Sequence, residues 1–402
     1  MIVQTIVTLA LAALAIAPVQ AVTPAACNNQ SDFDGDGQDD AAVGDPFANG
    51  GKGAVHLLSG TKVVSLPSPP LGDGDAFGWS VKLAKVNADA CADLVVGAPY
   101  ADVRGVRDAG AVHILYGGAA TRPQLLTAPQ PQQDAHFGWS LAANGNLLAI
   151  GAPHEDEAQT ADTGSVYIKP VDIKSVDIRS GSQPLRRISQ ESSEVPGNGE
   201  VGDQFGYSVA LSKDRALFVG VPYENDDGAG RQVGTGKIHS GQITIITDAT
   251  APTLRGQKWD SPTKKAGDRF GYALAYTDGV GLAASAPGPG YVQLYTPALR
   301  PARTIRQGAQ GFGYSLAIAP DGRLAVGSPY GAGVLLSSFQ SSGQDRRLNL
   351  DGRAVAFSGN RLLAGQPDAG RAGQVAVLGR NTDEVQRAEP PAGADFGSSV
   401  TG

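Results

Sequence analysis

Apolar positions along this chain fall into a recurring order. A short solid run ends in Gly-x-Pro or a near variant, at Gly44, Gly97, Gly151, Gly220, Ser285, Gly327 and Gly365. A loop follows, then an alternating piece such as GAVHILYG (Gly110 to Gly117), GSVYI (Gly164 to Ile168), GQITII (Gly241 to Ile246) or GQVAVLG (Gly373 to Gly379), then a further extended piece such as TKVVSL. Ahead of most solid runs stands a second phrase: FGWS at Phe77 and Phe137, FGYS at Phe205 and Phe312, and FGYA at Phe270. Short apolar runs bounded by turn residues read as buried strands, and alternating ones as strands with two unlike faces. Each unit is therefore four short strands.

Units of about 40 residues or more with four strands and a Gly/aromatic signature are how a β-propeller reads in sequence. The Phe of the first phrase can fill the wedge between neighbouring blades, and its Gly lets the chain turn into the crowded innermost strand. Gly-x-Pro ends the second strand, because proline cannot donate to a continuing ladder. The expected fold is all-β: a seven-bladed propeller of four-stranded antiparallel blades over residues 32–402. The first blade has GDP at Gly44 with no Phe-Gly phrase before it, whereas the chain ends in ADFGSSVTG with no Gly-x-Pro after it. The terminal stretch 394–402 should therefore supply the innermost strand of blade one and close the ring without a free edge.

Charge changes the picture at one place. SDFDGDGQDDAAVGDP, from Ser31 to Pro46, sets a dense acidic cluster directly before a buried run. Asp32, Asp34 and Asp36 alternate with residues that include Gly35 and Gly37, so a tight turn can swing their oxygens toward one point, as calcium loops do. An EF-hand needs a bidentate acid at the twelfth position, and counting from Asp32 that position is Val43. The expectation is a nine-residue calcium loop inside a β-hairpin, with carboxylates from Asp32, Asp34, Asp36 and Asp40, the backbone carbonyl of Gln38, and Asp39 turned to solvent.

Composition bounds the rest. Glycine, 54 of 402 residues, is about twice its usual share and is spread throughout, which implies many tight turns. The net charge of −7 and the absence of a Lys/Arg stripe argue against nucleic acid as a partner. Residues 1–21, MIVQTIVTLALAALAIAPVQA, read as a secretory signal cleaved after Ala21, with 22–31 as an N-terminal segment. No other segment approaches the roughly 18 apolar residues of a membrane span. The expected product is secreted and monomeric, without a transmembrane segment. Cys27 and Cys91, the two cysteines, should be bridged in an oxidising compartment. A lipidated Cys27 is the rival, and the Pro24-Ala25-Ala26 before it lacks the apolar residue such a site carries.

The phrases resemble FG-GAP repeats, the units of the integrin α-subunit propeller, and the resemblance runs from Asp32 to Gly402. It implies a structural calcium ion in the hairpin between the first and second strands of a blade, on the face opposite the one that binds ligand. Blade two carries KVNADACAD (Lys85 to Asp93) in the equivalent hairpin, with Lys85 at the first ligand position and Ala90 at the turn glycine. No calcium is expected there, and the Lys85 ammonium could replace the ion. Blade seven has LDGRAVAF (Leu350 to Phe357) in place of the Phe-Gly phrase.

No HExxH or GxSxG occurs, and His56, His113, His136, His154 and His239 are scattered. The chain is expected not to be an enzyme but a calcium-stabilised binding or adhesion module for a protein or glycan. The alternative is a propeller lectin using Trp79, Trp139 and Trp259 as stacking faces. The connections after Gly97, Gly151 and Gly220 are long and fall on consecutive blades, so the ligand face is sought there. Its candidates are Arg104, Arg107, Glu155, Asp156, Glu157, Glu224, Asp226 and Asp227, a mainly acidic set that favours a basic or cation-bridged partner.

Overall fold

Seven four-stranded antiparallel sheets stand around one axis in the computed structural model. It describes residues 27, 29–87, 89–118, 122–171, 184–225, 236–309, 311–329, 333–341, 343, 345–380, 384–390 and 394–402. The expected leader, most of the N-terminal segment, Asp226 and Asp227 lie outside the described residues. In blade 2 the strands are Ser80–Ala84, Asp93–Ala98, Ala111–Leu115 and Gln124–Thr127. The first strand is innermost and the fourth is the outer edge, and the same order repeats in every sheet.

Blade 1 is completed from the far end of the chain. Ser399–Thr401 pairs antiparallel with Ala41–Asp45, Val43 opposite Val400, so the ring closes as the unmatched phrases predict. The closing turn has its own latch. Buried Asp45 accepts hydrogen bonds from the backbone N–H groups of Asp395 at 2.9 Å and Ala394 at 3.3 Å.

The core lies between blades. Phe77, Phe137, Phe205, Phe270, Phe312 and Phe396 are all fully buried, each in an apolar cluster drawn from two adjacent sheets. Blade 7 has Asp351 where the others have Phe, and Leu350 enters the wedge instead.

The two phrases interlock, which explains their glycines and serine together. Ser80 Oγ donates to the carbonyl of Gly138 in the next blade at 2.7 Å, and Ser140, Ser208, Ser315 and Ser399 repeat the bond to Gly206, Gly271, Gly352 and Gly78. A side chain at Gly97 would strike both that carbonyl and Ser80 Oγ. Gly78 and Gly138 have φ of +99° and +98°, the left-handed region that favours glycine. Blade 5 exchanges the roles: Ala273 stands for the serine and Ser285 for the glycine, and Ser285 Oγ accepts from Ala273 N.

Candidate functional site

Two places concentrate chemistry, one on each face. On the hairpin face, the turn before Ala41–Asp45 wraps its backbone around carboxylates. Asp32 accepts from Gly35 N at 2.8 Å and Gly37 N at 3.0 Å, and Asp40 Oδ2 accepts from Phe33 N at 2.9 Å. Among the described residues, Asp32, Asp34 and Asp40 form the one group whose ligand atoms lie within 4.8 Å of one another. Asp32 and Asp40 are fully buried, and Asp40 Oδ1 has no hydrogen-bond partner. Burial and the neighbouring charges of Asp34 and Asp36 push the Asp40 carboxyl up to about 6. A buried, unsatisfied carboxylate oxygen beside two other carboxylates is an arrangement that a hard cation completes.

Asp36 and Gln38 stand at the edge of this group. The Asp36 carboxylate accepts from Gln38 N at 2.8 Å and from Ser59 Oγ at 3.3 Å. Asp39 is half-buried rather than turned to solvent, because its carboxylate accepts from Ser31 Oγ at 2.9 Å. The turn is tied to blade 2 by Ala92 N to Asp32 O, Gly118 N to Phe33 O, and the Cys27–Cys91 disulfide.

In the blade 2 hairpin, an alignment on the two Gly-x-Pro phrases sets Asn87 at the position of Asp34, Asp89 at Asp36 and Asp93 at Asp40. The side-chain donor found among these acids is the Asn87 amide, 2.8 Å from Asp89 Oδ2 and 3.5 Å from Asp93 Oδ1. It takes the role expected of the Lys85 ammonium.

On the opposite face, the residue after each Phe-Gly stands at the head of an innermost strand. Trp79, Trp139, Tyr207, Tyr272 and Tyr314 are all half-buried and form a continuous arc, with successive ring centroids 4.7, 5.8, 5.0 and 5.2 Å apart. A second tier follows Gly-x-Pro: Phe47 and Tyr100 meet Trp79, His154 meets Trp139, and Tyr223 meets Tyr207. The recurrence of an aromatic after Gly-x-Pro signals this tier in the sequence, and the search for catalytic motifs passes over it. Trp259 lies apart, packed on Tyr295 at 4.7 Å.

The long loops divide the candidate ligand residues. Arg104, Arg107 and Asp156 are exposed, and Arg107 bridges Asp108 at 2.9 Å and Asp134 at 2.7 Å. Glu157 is half-buried against Arg187 at 2.6 Å. Glu155 and Glu224 are buried and do not reach the face. Glu155 turns down onto Arg187 and Tyr167, and Glu224 onto Lys258, Gln190 and Gln242. Each follows the Gly-x-Pro-aromatic turn directly and meets a basic residue of its own outer strand, so each anchors a loop base. The acids that remain on this face are the exposed Asp102 and Asp156 and the half-buried Asp134, the last paired with Arg107.

Two models of the FG-GAP repeat match, one over residues 77–115 and the other over 121–168 and 188–235. The chain carries FG-GAP repeats. Among the relatives the chain matches, integrin alpha-PS2 of Drosophila melanogaster is 30% identical over 154 residues, 34% of this chain and 11% of that one. Integrin alpha-5 of Xenopus laevis is 31% identical over 175 residues, 38% and 16% of the two chains. Phosphatidylinositol-glycan-specific phospholipase D of Homo sapiens is 31% identical over 144 residues, 30% and 17%. The matches thus span less than a fifth of the length of each of these relatives.

Among solved structures, a putative 6-phosphogluconolactonase from Bacteroides uniformis superposes with TM-score 0.58 at 14% identity, covering 90% of this chain and 98% of the other. The periplasmic gluconolactonase of Pseudomonas aeruginosa does so with TM-score 0.55 at 16% identity, covering 89% and 98%. At such identities the likeness shows the fold alone. It nevertheless overturns the expectation that the chain is not an enzyme: propellers named as lactonases share this architecture, so missing HExxH and GxSxG motifs exclude no activity. No helix of the described residues is long and apolar enough to cross a membrane.

Proposed function

We propose that this chain is an exported binding module, pinned by a calcium ion on its hairpin face, that takes a positively charged segment of another macromolecule on its loop face. The carrying observation is the half-buried aromatic arc with acids on the same face. Trp and Tyr faces attract ammonium and guanidinium groups, and the attraction is stronger where water is partly excluded. The acids Asp102, Asp134 and Asp156 add a field that steers a basic partner. Export is supported by the Cys27–Cys91 bridge, since such bonds persist in oxidising compartments.

Asp32, Asp34 and Asp40 would hold the calcium, which supplies the positive charge their buried oxygens lack. The residues fit the ion on one point above all, the unpartnered Asp40 Oδ1. The hairpin face lies at the other end of the strands from the arc, so the ion serves to stiffen the ring and does not touch the ligand.

The test is a fluorescence titration of Trp79 and Trp139 with a lysine- and arginine-rich peptide, a neutral peptide and neutral oligosaccharides. The expected result is saturable binding of the basic peptide, weakened by salt and by Trp139→Ala. Binding of an oligosaccharide alone, or of the basic peptide unchanged in Trp139→Ala, would overturn the reading.

A further inference from the structure

His136 and His154 come from different segments and meet on the loop face. His136 lies in the turn that enters blade 3, and His154 follows the Gly-x-Pro of that blade. Their Nδ1 atoms are 3.0 Å apart with the rings nearly perpendicular, 87° between planes. Two nitrogens bound side by side to one metal at about 2.0 to 2.1 Å stand about 2.9 to 3.3 Å apart. The two Nδ1 atoms already stand at the spacing a shared ion imposes, and binding one exchanges the hydrogen bond between the rings for two metal–nitrogen bonds.

The surroundings hold both rings in position. The backbone of His136 is fixed at both ends, its N–H donating to Asp108 O and its carbonyl accepting from Trp139 N. Tyr100 lies 4.7 Å from the His136 ring, and Trp139 lies 6.0 Å from His136 and 5.3 Å from His154. Both histidines are half-buried, so the pair is ordered and still open to solvent. Partial burial holds both imidazoles below their ordinary pKa, His136 down to about 4, so a lone pair is available at neutral pH. The carboxylates of Asp134 and Asp162 stand close enough to act on the His154 charge and favour a cation, whereas the Arg107 guanidinium opposes one at His136.

We infer that His136 and His154 form a two-imidazole site for a borderline divalent transition metal, copper(II) ahead of zinc. Imidazole nitrogen selects this class over calcium, and the order follows the general affinity series for divalent ions. Among the described residues no third imidazole or carboxylate joins the pair at the same spacing. Its remaining coordination positions are therefore open to water or to a donor group from a ligand, as in metal sites that do more than hold a fold together. The site is separate from the calcium loop; it adjoins Trp139 of the aromatic arc, and its test does not require the basic-partner reading to hold.

The experiment adds copper(II) to the full chain in excess calcium and records the electron paramagnetic resonance spectrum together with tryptophan fluorescence. Expected are one strongly held ion per chain coupled to two imidazole nitrogens and quenching of Trp139. Both signals are lost in His136→Gln and in His154→Gln and retained in Asp34→Asn. Zinc should displace copper only in large excess. A spectrum with fewer than two imidazole nitrogens, or binding that survives both histidine substitutions, overturns the assignment. The nitrogen count is read on the unsubstituted protein and stands even if a variant fails to fold.

Discussion

The hairpins of blades 1 and 2 are built on one plan and meet the same electrostatic problem in different ways. In each, a fully buried aspartate stands at the start of the second strand, Asp40 just before it and Asp93 as its first residue, and accepts the backbone N–H of Phe33 or Val86 at 2.9 or 3.0 Å. Its other oxygen separates the two. Asp93 Oδ1 accepts from Gly117 N at 3.2 Å and is reached by the Asn87 amide at 3.5 Å, whereas Asp40 Oδ1 is bare and its carboxylate groups with those of Asp32 and Asp34. Blade 2 satisfies its carboxylate with protein donors. Blade 1 has replaced the amide by a further acid, a change that is costly without a cation and useful with one.

The largest expected effect comes from separating the two hairpins. The Cys27–Cys91 bridge closes 64 residues of sequence, worth about 4 kcal/mol on the chain-entropy model. Replacing both cysteines by serine should lower the melting temperature in calcium and in chelator alike, since the cross-link acts mainly on the unfolded chain. Loss of the calcium response together with the bridge would instead mean that the turn is shaped by its tether to blade 2.

Next comes the blade 2 acid. Burial raises the Asp93 carboxyl from 3.8 to about 7. A carboxyl whose folded value is raised contributes stability below its unfolded value, and that contribution is lost as pH climbs through the folded one. Between pH 5 and pH 8 this group alone should remove about 2 to 3 kcal/mol, in either calcium or chelator. Asp93→Asn should flatten that part of the stability profile, whatever its offset. A slope that the substitution leaves unchanged would show that Asp93 titrates as an ordinary carboxylate.

A reciprocal exchange tests the comparison itself. Asp34→Asn should give blade 1 the amide solution: a fold stable in chelator, with the calcium response lost. In the parent that response amounts to about 2.7 kcal/mol when calcium is a hundredfold above its dissociation constant. Asn87→Asp should do the opposite, costing about 2 kcal/mol in chelator because the buried acids lose their donor, with part of the loss recovered in calcium. Equal melting temperatures of the parent with and without chelator would remove the ion from the account.

Much of this was legible in the sequence because the repeat writes its constraints at fixed positions. Phe77 and its equivalents need a bulky apolar residue in the wedge, Gly97 has no room for a side chain, and an unmatched ADFGSSVTG must find its partner in blade 1. Contacts between distant segments were not legible. Glu155 and Glu224 look like loop acids until strand pairing sets Arg187 and Lys258 beneath them. The approach of His136 to His154 depends on how an entering turn leans over the next Gly-x-Pro, which no local pattern records. The charge of Lys85 is the conspicuous feature of the blade 2 hairpin, yet the short amide of Asn87 at the second acid position is the closer substitute for a carboxylate and is the one that reaches Asp89.

The smallest effect decides which acids belong to the loop's ligand set. Alternation in the sequence places Asp36 beside Asp32 and Asp34, but its carboxylate caps Gln38 N and receives Ser59 Oγ, while Asp32, Asp34 and Asp40 converge. If those bonds are its main work, Asp36→Asn keeps an acceptor for Gln38 N and loses only the charge assistance, about 0.5 to 1 kcal/mol. Its calcium affinity should then fall far less than that of Asp34→Asn. Calorimetric titration of the two variants side by side measures the difference directly. Equal loss in both would show that the turn rearranges on binding and draws Asp36 inward, so that all the alternating acids of the sequence serve as ligands.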